Sequence, residues 1–82
     1  MKTIEIEISK LNIQGEWDVI HTSTTKTGRH PQDYIGEVMV SVGEVVLEDD
    51  DNEFLNYIGQ IGFCGFKFGP NWEFYVKAKI VS

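Results

Sequence analysis

Cysteine is almost missing from this chain: Cys64 is the only one in 82 residues. A lone thiol cannot close an internal disulfide, so no disulfide framework is expected to hold the fold. A reducing, cytoplasmic compartment is the natural expectation. Long apolar runs are missing too. No stretch approaches the roughly 18–20 apolar residues that span a bilayer, and no membrane association is expected. The opening MKTIEIEISK alternates apolar and charged residues and lacks the continuous apolar segment of a signal peptide. Proline is scarce, with Pro31 and Pro70 alone.

Positive charge is also short. Seven Lys and Arg stand against thirteen Asp and Glu, for a net charge of −6. The deficit is local. Between Asp33 and Glu53 there is no basic residue, while Asp33, Glu37, Glu44, Glu48, Asp49, Asp50, Asp51 and Glu53 are acidic. The residues before this segment balance in charge, and those after it are slightly basic. Nucleic-acid phosphates repel an acidic protein, so no direct nucleic-acid binding is expected. Basic surfaces of other proteins are the favoured partners.

What is present points to a single small domain, residues 1–82. Apolar residues make up 41% and aromatics 12%, enough for a packed core. The dominant sequence period is two. Ile4, Ile6 and Ile8 share one face of a strand over Lys2–Ile8. A second strand runs from about Glu16 to Thr24, with Trp17, Val19 and His21 on one face. The polar stretch Thr22–Asp33 reads as a long loop. Tyr34–Val42 reads as a third strand through Val38, Val40 and Val42, with a turn or bulge at Gly43 and a continuation through Val45 and Leu47. Asp50 and Glu53 have capping-box spacing, which predicts a short helix over 52–58 ending at Gly59. Gln60–Phe68 and Trp72–Val81 form a hairpin about Gly69-Pro70-Asn71. Trp72, Phe74, Val76, Ala78 and Ile80 are expected to face inward. The fold class expected is mainly β: a small antiparallel sheet or barrel of five to six strands, with one short helix near 52–58.

Catalytic and metal motifs are weak or absent. Gly59, Gly62 and Gly65 lack the close first pair of a dinucleotide-binding loop. Asp49, Asp51 and Glu53 alternate as a calcium loop begins, but Phe54 stands where that loop needs glycine. His21, His30, Asp33 and Cys64 have no spacing that demands a nucleophile and base. Lys26, Arg29 and His30 in the polar loop suit a solvated loop tip as well as a phosphate. No cofactor, no metal and no enzymatic activity are expected. Gly15-Glu16-Trp17 is similar to the G-x-W signature of the lipocalins. This resemblance covers three residues, implies a barrel of reduced size, and transfers no ligand-binding residue.

Two functions fit this pattern. The first is a module that engages a basic protein surface through Glu44, Glu48, Asp49, Asp50, Asp51 and Glu53. Its sharpest form is a nucleic-acid-mimicking inhibitor, of the kind small phage-encoded anti-defence proteins provide, since spaced carboxylates imitate phosphates. The alternative is a small-molecule binder that holds its ligand in a barrel interior or at a subunit interface. Homo-oligomerisation is expected under either, because Val45, Val46 and Leu47 are consecutive and a partner subunit would cover the second face of their strand. Asp49, Asp50 and Asp51 are all expected to be exposed.

Overall fold

The computed structural model describes residues 1–81. It is an α+β fold of four antiparallel strands and two helices. The elements are β1 (Lys2–Leu11), β2 (Trp17–Thr27), α1 (Pro31–Gly43), α2 (Asp49–Ile61), β3 (Phe63–Phe68) and β4 (Phe74–Ile80). Strand order is β2-β1-β4-β3, so the two hairpins are joined through β1 and β4 at the centre of the sheet. The sheet is open, with β2 and β3 at its edges. It is not a barrel, and Gly15 lies in the β1–β2 turn, so the lipocalin likeness ends at three residues.

Both helices lie on one face of the sheet. Ile4, Ile6 and Ile8 of β1 and Phe74, Val76 and Ala78 of β4 are buried there, as the period-two pattern requires. Phe66 and Phe68 of β3 join them, and Phe68 stacks on Phe74 at 5.2 Å between ring centroids. Ile35 and Met39 of α1 and Leu55 and Ile58 of α2 close the core from above. β2 stands outside this cover. None of its residues is buried, and His21, Ser23, Thr25 and Thr27 are half-buried on its inner side.

Four sequence expectations change. Tyr34–Val42 is helix, not strand. Ile35, Val38, Met39 and Val42 repeat at i, i+3, i+4 and i+7, and this stripe faces the core. The valine alternation lies across that stripe, and Val40 is exposed. Pro31 supplies the fixed φ of a first helical position. The sheet therefore has four strands rather than five or six, because Val45–Leu47 lies in the connection between the helices. The polar loop is shorter than expected: Thr22–Thr27 belongs to β2 and Asp33 to α1. The helix expected over 52–58 is present and longer, over Asp49–Ile61.

One local irregularity re-aims a strand. Ile8 pairs with His21 but Ser9 pairs with Val19, so Ile20 is an extra residue in β2. This bulge reverses the side-chain phase. Trp17 and Val19 turn to the open face of the sheet while His21 stays on the helix side, where Nε2 lies 3.1 Å from Ser23 Oγ.

Candidate functional site

The acidic segment runs from Asp33 in the first turn of α1, through the connection, to Glu53 in α2. Its carboxylates serve different purposes. Glu48 is the N-cap of α2 and Asp51 its N3 residue, and together they form a reciprocal capping box. The Glu48 N–H donates to Asp51 Oδ2 at 3.0 Å. The box thus sits two residues earlier than the Asp50–Glu53 spacing suggests. Asp51 is only 7% exposed, which corrects the expectation that all three aspartates face water. Three carboxylates in the first turn also suit the positive end of the helix. Part of the acidic run is therefore explained by folding.

Four carboxylates of the segment, the two of the capping box among them, also border a groove. The α1–α2 connection faces the β3–β4 turn, and a cavity of about 430 Å³ opens between them. Glu44, Glu48, Asp50 and Asp51 line one side; Phe68, Pro70 and Trp72 line the other. Asp49 and Glu53 are exposed but lie outside it. Glu44 caps α1 in the left-handed region, at φ 53°, and its N–H donates to Val40 O at 2.9 Å. Four of the six expected partner-binding residues thus share one concavity.

Two apolar residues at this groove escape the sequence pattern. Val46 is 87% exposed. Trp72 was expected inside with Phe74 but is 57% exposed. The reason is the turn. The Trp72 N–H donates to Gly69 O at 3.1 Å, which closes a four-residue turn, and Trp72 takes a φ of 55°. Strand β4 resumes only at Phe74. A large ring held out in a left-handed backbone conformation is costly for a residue with a Cβ. The only signal for it in the sequence was the turn tripeptide Gly69-Pro70-Asn71.

Comparison with family models, with curated proteins and with solved structures finds no match.

The residues weighed for catalysis are not assembled. His21 and Cys64 lie on β2 and β3, the two opposite edges of the sheet, with β1 and β4 between them. Burial pushes the Cys64 thiol up to about 11, against the lowering effect of a backbone hydrogen bond with Ala78. His30 is exposed at the N-cap of α1. Arg29, beside it, forms an ion pair with Glu37. Among the described residues no group of three His, Cys, Asp or Glu side chains is placed to hold a metal ion. No helix among them is long and apolar enough to cross a membrane.

Proposed function

We propose that this protein is a binding module whose acid-lined groove receives a basic, arginine- or lysine-bearing segment of a partner protein. The observation that carries the reading is the pairing of Glu44, Glu48 and Asp50 with the exposed ring of Trp72 across one concavity. A guanidinium or ammonium entering this groove meets carboxylates on one wall and an aromatic face on the other. Both attract it: the first through charge-assisted hydrogen bonds, the second through the ring quadrupole. Exposed Val46 and the face of Trp72 add apolar area, and tryptophan is the residue type most enriched at interface hot spots. Inhibition of a nucleic-acid-binding protein by occupying its basic groove is the form of this function that fits the charge pattern best. No catalytic step and no cofactor is part of the reading.

The ligand-in-a-barrel alternative gains nothing from an open sheet whose helix-covered side is filled by core side chains. An arginine-rich peptide is the probe for the proposed function. Its affinity should fall steeply as salt rises, since exposed charges are screened beyond roughly 8–10 Å at physiological ionic strength. A glutamate-rich peptide of equal length should not bind. Equal binding of the two, or affinity indifferent to salt, would remove the proposal.

A further inference from the structure

The helices cover one face of the sheet and leave the other open. On that open face the two central strands carry opposite charges in stripes. β1 presents Glu5 and Glu7, and β4 presents Lys77 and Lys79. The strand register sets Glu5 opposite Lys79 and Glu7 opposite Lys77. At the same two levels β2 presents Thr24 and Thr22, and β3 presents Phe63 and Gly65. Glu5, Lys77 and Lys79 are exposed and Glu7 is half-buried. Among the described residues the one ion pair is Arg29 with Glu37, so the stripes lie side by side without closing on each other. Towards one end of the face, Trp17 stands edge-on to Tyr75 at 6.1 Å, and Lys67 Nζ lies 5.8 Å from the Trp17 ring centroid. Ser9, on this open face beneath the cluster, is only 8% exposed. A trough of about 830 Å³ runs over the charge stripes beside the cluster.

We propose that this face is the contact between two copies of the chain, related by a two-fold axis that runs parallel to the strands between β1 and β4. Such an axis lays β1 of one copy across β4 of the other without changing level along the strands. Glu5 then meets Lys79 of the second copy, Glu7 meets Lys77, and the Thr22–Thr24 edge meets Gly65 and Phe63. A two-fold axis perpendicular to the strands would set glutamate on glutamate and lysine on lysine, which like-charge repulsion excludes. Packed sheets lie about 10 Å apart, a gap that an extended lysine and a glutamate span together. The Trp17–Tyr75 clusters of the two copies meet near the axis and supply the apolar part of the contact. Both acidic helical layers point outward, which keeps the two −6 charges far apart. Four strands of about seven residues give a footprint of roughly 450 Å², below the roughly 800 Å² per partner of a stable complex, so the dimer is weak and reversible. This inference is independent of the groove and its basic partner.

Two variants test it. Glu5→Lys with Glu7→Lys makes the face wholly basic; Lys77→Glu with Lys79→Glu makes it wholly acidic. Sedimentation of the parent should show a monomer–dimer equilibrium up to millimolar concentration. Each variant alone should associate at least roughly tenfold more weakly, and an equimolar mixture should restore a one-to-one dimer. Repair within a chain cannot produce that rescue, because each chain keeps its own like charges. A parent that stays monomeric at millimolar concentration, variants that dimerise like the parent, or folded variants that stay monomeric when mixed would each overturn the proposal. Dilution of the parent followed by NMR needs no variant. Its shift changes should centre on Glu5, Glu7, Tyr75, Lys77 and Lys79, and changes confined to the β2 edge or the helices would overturn it equally.

Discussion

Trp72 holds a backbone conformation that glycine tolerates and tryptophan does not favour, with φ at 55° and more than half of its surface in water. Neither its burial nor its geometry favours the fold, and under the proposed function the ring serves the groove. Trp72→Gly removes the ring and relieves the backbone, at the entropic cost of one added glycine. The melting temperature of this variant should match or exceed that of the parent, while affinity for an arginine-rich peptide falls. A markedly lower melting temperature, read by circular dichroism, would mean that the ring is part of the core. Cys64 offers a second test at this scale. Its thiol is raised from 9.0 to about 11 by burial, so it stays protonated at neutral pH and should react slowly with thiol reagents. The unfolded chain loses this proton first, so between about pH 9 and 11 the native state binds more protons and stability falls as pH rises. Cys64→Ala should remove that part of the alkaline loss, as thermal unfolding across this pH range will show.

At the level of elements, the strands were legible and one helix was not. Ile4-Ile6-Ile8 and Phe74-Val76-Ala78 alternate along half-covered strands, and a sheet with one packed face writes that pattern plainly. α1 is different. Val38, Val40 and Val42 favour strands by intrinsic propensity, and their alternation masks the helical stripe that Val38 and Val42 share with Ile35 and Met39. Tertiary packing decides the matter at Gly36, where α1 meets the other helix. A Cβ there would lie 3.3 Å from Leu47 Cδ1 and 3.4 Å from Leu55 Cδ1. The strand reading placed a turn or bulge at Gly43 and gave Gly36 no role, whereas Gly36 is a point of close helix approach. Gly36→Val should therefore cost about 1–3 kcal/mol through overpacking, measured by chemical denaturation. If the variant is as stable as the parent, the two helices do not pack at this point. The bulge at Ile20 was likewise invisible, because an extra residue in an edge strand leaves no compositional mark.

Across the whole molecule, charge and shape divide by layer. The acidic segment Asp33–Glu53 lies on the helical side, and all three lysines of β3 and β4, Lys67, Lys77 and Lys79, lie on the open sheet face. The acidic half of the groove was legible, since eight carboxylates without a basic neighbour stand out in any reading of the chain. Its other half was not. Trp72 and Pro70 reach Glu44 and Asp50 only because the β3–β4 turn folds back beside the α1–α2 connection, a long-range juxtaposition that no local pattern encodes. Nor did the sequence separate carboxylates that cap α2, Glu48 and Asp51, from those free to meet a partner. That separation now defines the decisive comparison. Glu44→Gln with Asp50→Asn removes two charges from the groove; Asp49→Asn with Glu53→Gln removes two from the same segment outside it. Neither pair touches the capping box. Titration calorimetry of both variants with an arginine-rich peptide, at one salt concentration, separates groove binding from attraction by net charge. The groove account predicts that the first variant loses about tenfold or more in affinity while the second stays close to the parent. Equal losses in the two variants would contradict it, because binding would then follow net charge and not the groove.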